Sequence, residues 1–518
     1  MAAGRENSAG SAGWHKAALP LVLLVQALLL FYRLDLLPMW GDEVFTVHVA
    51  GRPWGRIPSI LHGDIHPPLY YALAKLWASL PWPVEPVIAL RAMSAVFCLA
   101  STIVIDRLWL RRAEPARRAC FLALWAVSPA LILYSRMARS YSLQLLLSAA
   151  ALRFGWDLVA NPAPRRNRLA FGVSGAALLY THYLPGVAIA GAVGIVLAIR
   201  WLCSRDRAIF RGAAVSYSLM ALLYLPWLAT FGYAVSRVSR AEPYVLFDDT
   251  FLETLVKLSF WFTSFSFGES FPTWAIFLGL AVAPLLYWAG CRGARREREW
   301  IAIPALAAAI GYFGAAAWVS FPFIGARMLF LLPFYLLCLA RGIVERPKLG
   351  AAVFAGMLAV HAGALSSYYR KEGFLNAGYT LPTPEIVRTM QSTPPAETLI
   401  LLDSFNTDAE PIVRALGNDA RIVRIRSAHE AEQARTEAAK QDWKTIWFLR
   451  STHDTSPGRS LTALQKELEQ RYPEQLTPLV PYSDADRWAA GILGWESATR
   501  HHYSLMEFQR GPSQAAAH

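Results

Sequence analysis

The chain has 518 residues, of which 55% are hydrophobic, and it carries a formal net charge of +13. This composition excludes an ordinary soluble enzyme and indicates a polytopic α-helical membrane protein. Positive charge in a soluble protein would suggest nucleic-acid binding, but here the arginines lie mostly in short loops between apolar runs. Orientation in a membrane explains the charge better, and we expect no nucleic-acid partner.

Apolar runs long enough to cross a bilayer recur from residue 17 to residue 366. A membrane-spanning helix needs about 20 predominantly apolar residues, and we predict about eleven such helices in a transmembrane domain of residues 17–366. Residues 1–16 would form a cytoplasmic tail, and the first apolar run would be an uncleaved helix, because no small-residue cleavage site follows it. The predicted spans are 17–32, 86–109, 119–134, 141–159, 169–182, 184–201, 212–230, 272–290, 300–320, 327–341 and 349–366.

Clusters of basic residues orient these helices in the membrane. They follow the second, fourth, sixth, eighth and tenth spans, so all of them fall on one side. Cytoplasmic loops are enriched in Lys and Arg, which predicts a cytoplasmic N-terminus and places residues 33–85 and the C-terminus outside. The clusters comprise Arg111, Arg112, Arg117, Arg118, Arg165, Arg166, Arg168, Arg205, Arg207, Arg211, Arg292, Arg295, Arg296, Arg298, Arg341, Arg346 and Lys348.

Residues 33–85 form the first predicted outer loop, which contains two segments with apolar residues at helical spacing. Segments 43–51 and 68–79 are typical of amphipathic helices that lie along a membrane surface. A later outer loop, residues 231–271, is rich in aromatic residues and is compatible with a lid or a lipid-facing surface.

The composition changes after Ser366, and residues 367–518 are predicted to form an extracytoplasmic α/β domain. No glycine-rich phosphate loop follows any of its strands, so we expect no nucleotide binding. The five cysteines show neither a disulfide framework nor the spacing of a zinc site. The predicted strands are 398–402, 420–425 and 444–449, and the predicted helices are 408–416, 428–440 and 460–471.

Two carboxylates, Asp42 and Glu43, open the first amphipathic segment of the outer loop. One interpretation of Asp42 is a helix N-cap, since Asp is among the best capping residues. The other is a general base that accepts a proton from a hydroxyl within hydrogen-bond reach. Glu43 would lie beside it, and two close carboxylates raise the pKa of one of them.

A second polar element is Asp64-Ile65-His66-Pro67-Pro68. Proline suits the first turn of a helix, so Asp64 and His66 would lie at a helix N-terminus, which is a natural site for an anion. A simple turn with a capping Asp explains the same residues. Together with Asp42 these side chains are also suitable ligands for a divalent metal. Their spacing is not specific enough to assign a metal site, so a divalent metal stays an open alternative and no cofactor is assigned as required.

Four arginines lie near the predicted outer ends of spans, against the usual distribution of charge. A single such residue would be explained by a side chain that reaches back to the interface. Four of them around an acidic loop indicate an anionic partner such as phosphate, which Arg binds in bidentate fashion. The arginines are Arg91, Arg136, Arg139 and Arg327, and Tyr141 and His182 lie at the same level.

At these residues the chain resembles the GT-C superfamily of membrane glycosyltransferases, and it looks most like the bacterial relatives of protein O-mannosyltransferases and of the lipid A aminoarabinose transferase. Each motif is short, and the resemblance rests on their order and topological position over residues 17–366. The motifs are Trp40-Gly41-Asp42-Glu43, Asp64-Ile65-His66-Pro67-Pro68-Leu69-Tyr70-Tyr71, Leu90-Arg91-Ala92-Met93-Ser94-Ala95, Tyr134-Ser135-Arg136-Met137-Ala138-Arg139-Ser140-Tyr141, Tyr180-Thr181-His182-Tyr183, and Ala326-Arg327 leading into Leu332-Pro333.

The resemblance implies an inverting transfer from a polyprenyl-phosphate sugar donor to a glycan, lipid or protein acceptor, on the outer side of the bacterial cytoplasmic membrane. It implies that Asp42 is the base, supported by Glu43, and that Asp64 and His66 line the acceptor or phosphate region. The arginines that it assigns to the donor phosphate are Arg136, Arg139 and Arg327.

Two other functions use the same phosphate-binding residues. A transporter of a lipid-linked glycan would bind the head group without chemistry, and a polymerase or ligase would use a diphosphate-linked donor. Ionisable groups are almost absent from the middle of the predicted spans, with His361 as the main exception. This distribution is unlike that of a proton-coupled transporter, which needs such groups along a membrane path.

Overall fold

The computed structural model divides the chain into two compact units. Unit 1 comprises Met1–Leu34, Thr46–Phe271 and Ala275–Gly373, and unit 2 comprises Asp35–Phe45, Pro272–Trp274 and Phe374–His518. The structure describes residues 6–39, 41–64, 66–240, 261–270, 298–318, 325–371, 383–403, 409–417, 421–425, 427–440, 443–451, 456–472, 474–477 and 503–509.

The secondary-structure elements in the described part of unit 1 are helices joined by turns. Residues 261–267 are also helical, and a 3₁₀ helix spans Gly325–Leu331. The helices are α1 (Glu6–Phe31), α2 (Gly41–Ala50, which begins in unit 2), α3 (Ile57–His62), α4 (Leu69–Ala78), α5 (Pro86–Ile105), α6 (Pro115–Ala126), α7 (Pro129–Ser135), α8 (Tyr141–Ala160), α9 (Arg165–Leu179), α10 (Tyr183–Ser204), α11 (Arg207–Arg240), α12 (Arg298–Trp318), α13 (Leu332–Val344) and α14 (Pro347–Arg370).

Six helical segments of the described chain are long and apolar enough to cross a membrane, and the bent pair α6–α7 makes a seventh. The protein is therefore a multi-pass membrane protein. These seven correspond to predicted spans. The predicted spans 17–32, 169–182 and 300–320 are not among the seven, although α1, α9 and α12 form helices in these regions. The predicted span 272–290 lies outside the described residues. The six are Pro86–Leu110, Tyr141–Ala160, Tyr183–Ser204, Arg207–Ser236, Gly325–Val344 and Lys348–Arg370.

The predicted span 119–134 is two helices that meet at an angle of 50°. Pro129 occupies the first turn of α7, where its missing N–H costs nothing. The Ser128 side chain caps the new helix by accepting from the backbone N–H of Leu131 at 3.5 Å. The chain then breaks again after Ser135, and residues 136–140 form a buried turn before α8.

Both predicted amphipathic segments of the first loop are helical. Helix α4 follows Pro68 directly, and α2 carries Asp42 and Glu43 in its first turn. Asp42 therefore lies inside the helix, where a carboxylate interacts favourably with the N-terminal end of the helix dipole. Asp42 is partly exposed and Glu43 is buried.

Polar contacts link helices inside unit 1. The Thr102 hydroxyl donates to Gln26 Oε1 at 2.7 Å and accepts from Trp125 Nε1 at 2.8 Å, which joins α5 to α1 and α6. His361, the predicted midplane exception, is buried on α14, and its Nε2 donates to the Ser266 carbonyl at 2.9 Å. These bonds satisfy groups that would otherwise be buried without partners.

The C-terminal part of unit 2 contains a five-stranded sheet with the order β2-β1-β3-β5-β4. The three predicted strands and three predicted helices coincide with β1–β3 and α16–α18, while α15, β4 and β5 were not predicted. The elements are α15 (Thr383–Met390), β1 (Thr398–Asp403), α16 (Glu410–Leu416), β2 (Arg421–Ile425), α17 (Ala428–Lys440), β3 (Thr445–Ser451), α18 (Ser456–Arg471), β4 (Glu474–Thr477) and β5 (Tyr503–Gln509).

Apolar side chains cover both faces of this sheet. Strands β2, β1 and β3 are parallel, and β5 pairs antiparallel with β3 and β4. Leu399 and Leu401 pack on one side with residues of α17 and α18, whereas Ile400 and Leu402 pack on the other with residues of α15 and α16. This alternation explains why β1 reads as a continuous apolar run in the sequence.

Candidate active site

Several breaks between helices meet at one end of unit 1. The backbone N–H of Leu69 donates to the Tyr180 carbonyl at 2.8 Å, which joins the start of α4 to the turn between α9 and α10. The Ser94 hydroxyl donates to the Arg139 carbonyl at 3.3 Å, which joins α5 to the turn before α8. His66, Arg139 and His182 therefore approach one another, although they are far apart in the sequence.

A hydrogen-bonded chain of three side chains forms the centre of this region. Arg139 Nη2 lies 2.7 Å from His66 Nε2, and His66 Nδ1 lies 2.7 Å from Asp64 Oδ1. A guanidinium can only donate, so His66 Nε2 accepts and its ring proton lies on Nδ1, directed at Asp64. A neutral imidazole thus links a carboxylate to a cation, and Asp64 orients the ring that holds Arg139.

Arg139 is held on several sides and is only 4% exposed. Its Nη1 donates to the Tyr71 hydroxyl at 3.0 Å. The Ser94 hydroxyl that binds its carbonyl also lies 3.2 Å from the Tyr70 hydroxyl. A buried guanidinium with fixed partners is preorganised, because little side-chain entropy is lost when it binds an anion.

His182 contributes a neutral ring to the same group. The pKa of His182 is lowered to about 3, mainly by burial and to a smaller extent by the neighbouring His66, Arg327 and Arg139. Its Nδ1 is buried and has no hydrogen-bond partner among the described residues. The same interactions place the half-buried Arg327, on the 3₁₀ helix, in the electrostatic neighbourhood of Arg139.

Arg136 and Arg91 have partners of a different kind. The Arg136 guanidinium donates to the carbonyls of Leu29 and Tyr32, each at 2.7 Å, and its Cζ lies 5.2 Å from the Tyr369 ring centroid. Arg91 Nη1 donates to the Leu34 carbonyl at 3.0 Å. These contacts hold the end of α1 and the residues that follow it, so the described structure shows a structural role for both arginines. Their predicted role toward a donor phosphate stays a prediction.

The contacts described above do not test the roles of the other predicted site residues. Tyr141 is buried, and its ring packs edge-on against Tyr134 at 5.5 Å. Asp42 and Glu43 lie in the segment Asp35–Phe45, which groups with unit 2, whereas Asp64 belongs to unit 1. Their predicted catalytic roles therefore stay predictions.

The residues present do not fit a metal ion in this arrangement. Within the described part of the chain, no group of three or more His, Cys, Asp or Glu side chains is placed so that it could hold a metal ion. Both ring nitrogens of His66 are engaged, one by Asp64 and one by the cationic Arg139. A histidine binds a metal through a free nitrogen lone pair, and His66 offers none in this arrangement, so we derive no step through a metal.

The buried carboxylate of Glu269, in unit 1, was not predicted as a site residue. Glu269 lies in the described segment 261–270 and is 3% exposed. The available signal was an acidic residue in a stretch with four aromatic residues, Trp261 to Ser270, where a buried and unpaired charge would be costly. Tyr71 was part of a motif, but only the structure shows that it binds Arg139.

Comparison with solved structures shows a likeness of fold. No protein-family model matches the chain, and no curated protein matches it. Among solved structures, the chain is similar to the archaeal oligosaccharyltransferase AglB from Archaeoglobus fulgidus in complex with an inhibitory peptide and a dolichol-phosphate. The TM-score is 0.50 at 11% identity, over 91% of this chain and 74% of that chain. This likeness confirms a GT-C-like fold, but it does not test the predicted number of eleven spanning helices.

A second solved structure matches almost end to end. It is ArnT from Cupriavidus metallidurans bound to undecaprenyl phosphate, with a TM-score of 0.44 at 14% identity, over 97% of this chain and 99% of that chain. The apo state of the same protein gives a TM-score of 0.48 at 14% identity, over 97% of this chain and 100% of that chain.

Proposed function

We propose that the chain is an inverting glycosyltransferase that moves a sugar from a polyprenyl-phosphate donor to a hydroxyl of a cell-envelope acceptor. The observation that carries this proposal is the buried Arg139 held by His66 and Tyr71, with His182 and Arg327 beside it. Two guanidinium groups and a neutral imidazole at the ends of membrane helices suit the phosphate of a lipid whose tail lies between those helices.

The leaving group explains why a single base suffices. A lipid phosphate departs as a stable anion without a proton, provided that cations offset its charge. The acceptor oxygen forms a bond to the anomeric carbon while the bond from that carbon to the phosphate oxygen breaks. The acceptor proton passes to Asp42, and Glu43 supports it. Hydrolytic glycosidases, in contrast, need a second carboxyl group as the acid.

The remaining assignments follow from the charge pattern and the fold. We assign eleven spans, a cytoplasmic N-terminus and an outer location for residues 33–85, in the cytoplasmic membrane of a bacterium. Residues 367–518 would lie outside and bind the glycan, lipid or protein acceptor. The dolichol-phosphate in the similar archaeal oligosaccharyltransferase supports a polyprenyl-phosphate ligand.

Transfer by the purified chain tests the proposal. Reconstituted protein is supplied with polyprenyl-monophosphate sugars or with the diphosphate-linked forms, and transfer to envelope acceptors is followed by mass spectrometry. We expect transfer from the monophosphate donors, and Asp42→Asn should bind donor without turnover. The exposed Asp206, between α10 and α11, supplies the control Asp206→Asn, which should retain full turnover.

Three outcomes would contradict the proposal. Transfer only from diphosphate donors indicates a polymerase or ligase. Movement of intact lipid-linked sugar across the vesicle membrane, unchanged in Asp42→Asn, indicates a transporter. Full turnover by Asp42→Asn would exclude Asp42 as the base, even if the chain is a transferase.

A further inference from the structure

A buried carboxylate joins two segments that lead into the candidate site. Glu269 receives hydrogen bonds from the Tyr134 hydroxyl and from the Ser264 hydroxyl, the latter at 2.8 Å. It also receives the backbone N–H of Gly325. Its three donors come from α7, from the segment that carries Glu269 itself, and from the start of the 3₁₀ helix.

The fit around Gly325 shows how closely this carboxylate approaches the 3₁₀ helix. A Cβ atom at Gly325 would lie 2.5 Å from Ser264 Oγ and 2.9 Å from Glu269 Oε1. Distances below about 3 Å are too short for a real Cβ contact, so a side chain here would displace the carboxylate or its serine. The absence of a side chain at Gly325 permits the hydrogen bond from its backbone.

The two linked segments are those that deliver the arginines of the site. Tyr134 lies five residues before Arg139, through a buried turn without regular helix, and Gly325 lies two residues before Arg327. Neither Arg139 nor Arg327 is on a long helix that would fix it alone. Burial raises the pKa of Glu269, and its three hydrogen bonds oppose that rise.

We infer that Glu269 is a positioning residue for the donor-phosphate subsite: it binds Tyr134 and Gly325, and thereby sets the separation of Arg139 and Arg327. The inference rests on the proposed donor chemistry. Two cations bind one phosphate together only if their spacing matches it. Displacement of either cation by about 1 Å strongly lowers the affinity of a preorganised site.

Full-length protein in lipid nanodiscs allows this inference to be tested with two readouts. The first is amide hydrogen exchange of the peptide containing Gly325–Leu331, which needs no ligand. The second is the dissociation constant of a short-chain polyprenyl phosphate. The variants are Glu269→Gln, Tyr134→Phe and their combination. Glu345→Gln is the matched control, because the exposed Glu345 pairs with Arg341, four residues earlier at the end of α13, and not with the segments joined by Glu269.

In Glu269→Gln and in Tyr134→Phe we expect exchange in Gly325–Leu331 to rise several-fold and the dissociation constant to rise about tenfold, with the unfolding temperature little changed. The double variant should resemble the stronger single variant, since both remove one linkage. Tyr134→Phe keeps the ring and loses only the hydroxyl, so it tests the inference even if Glu269→Gln does not fold.

Unchanged exchange in Gly325–Leu331 would overturn the inference whatever the ligand affinity, and so would effects that add in the double variant. If the wild-type chain binds no polyprenyl phosphate while exchange responds as expected, the proposed function fails and the linkage stands. If binding weakens only in proportion to lost folding, Glu269 has a structural role alone.

Discussion

Arg139 and Arg136 lie three residues apart in one motif, but their different contacts indicate different roles. Arg139 bonds to two side chains, His66 and Tyr71, in the candidate site. Arg136 bonds to backbone carbonyls at the end of α1. Lysine offers one nitrogen where the guanidinium offers a planar fork, so it cannot reproduce either set of contacts.

We expect Arg139→Lys to lower kcat/KM for the donor about 30-fold, which corresponds to about 2 kcal/mol, with a small change in unfolding temperature. Arg136→Lys should do the reverse: it should lower the free energy of unfolding by about 2 kcal/mol and change the kcat/KM of folded protein less than about threefold. Donor kinetics and thermal unfolding of both variants check this. If kcat/KM for the donor falls equally in both variants, Arg136 also contributes to the donor site.

His182 makes the stability of the protein depend on pH. Its pKa is about 3 in the folded chain because of burial, compared with 6.5 for an ordinary histidine. The unfolded chain therefore binds a proton at a higher pH than the folded chain does. The stabilising contribution is complete above pH 6.5 and is lost as the pH falls toward 3, by at most about 1.4 kcal/mol per pH unit.

Thermal unfolding between pH 7 and pH 4.5 measures this effect. His182→Asn removes the titrating ring, so we expect a shallower fall in unfolding temperature than in the wild type. The exposed His429, on α17, provides the control His429→Asn, which should keep the wild-type slope. A wild-type slope in His182→Asn would show that other groups cause the acid sensitivity.

Gln144, one turn into α8, is fully buried, and neither of its amide atoms has a hydrogen-bond partner among the described residues. A buried polar group without a partner costs about 1–3 kcal/mol. We therefore expect Gln144→Met, which has a similar shape, to raise the free energy of unfolding by about 1–2 kcal/mol. Gln433→Met, at an exposed position of α17, should change it little. Destabilisation by Gln144→Met would contradict the prediction.

Among the helices, Thr102 links three elements through one hydroxyl. Thr102→Val keeps the shape of the side chain but leaves Gln26 Oε1 and Trp125 Nε1 without this partner. Interhelical hydrogen bonds in membranes contribute about 0.6–2 kcal/mol, and the variant should lose about that much stability in thermal unfolding. The adjacent Ser101→Ala is the control, because Ser101 bonds only to a carbonyl of its own helix, that of Cys98.

Sequence patterns predict the helices well and their breaks less well. Long apolar runs such as 86–109 are recognisable because a span must satisfy its backbone internally. The bend between α6 and α7 depends on Ser128 and Pro129, which a hydropathy window averages away. In unit 2, β5 follows β4 only after a long stretch of chain, and its place in the sheet depends on antiparallel pairing with β3 and β4. Such long-range pairing leaves little local signal.

The candidate site could be predicted as a set of residue types at one level of the membrane, but its contacts could not. Arg136 and Arg139 are equal candidates from the sequence, because both are positive charges near the predicted outer end of a span, where arginine is uncommon. Their different partners, a carbonyl of Leu29 and the ring of His66, come from elements distant in sequence. Glu269 was not predicted for the same reason: its partners Tyr134 and Gly325 are each more than 50 residues away along the chain, one before it and one after it.

For the whole molecule, the helices of unit 1 separate two sets of charged residues. Helix α10 has 22 residues and begins directly after His182, so at 1.5 Å per residue it is about 33 Å long. That length matches a hydrocarbon core of about 30 Å. The exposed Arg205 and Arg207 follow its far end, and His182 and the rest of the candidate site lie at the near end.

This geometry predicts on which side of the membrane two similar serines lie. Ser79 and Ser204 are both exposed at the C-terminal end of a helix, and each donates its hydroxyl to a carbonyl of that helix. The start of α4 binds the turn before α10 through Leu69 and Tyr180, which places α4 at the end of the bundle that carries His182. Ser204 lies at the opposite end.

In a chain without Cys203 and Cys291, we expect a membrane-impermeant maleimide added to intact cells to label Ser79→Cys and not Ser204→Cys. Inverted membrane vesicles should show the opposite pattern, because Ser204 lies beside the basic loop that is predicted to be cytoplasmic. Detergent-solubilised protein, in which both thiols should react, controls for intrinsic reactivity. Labelling of Ser204→Cys but not of Ser79→Cys in intact cells would place the candidate site on the cytoplasmic side. A donor displayed on the outer face could then not reach Arg139.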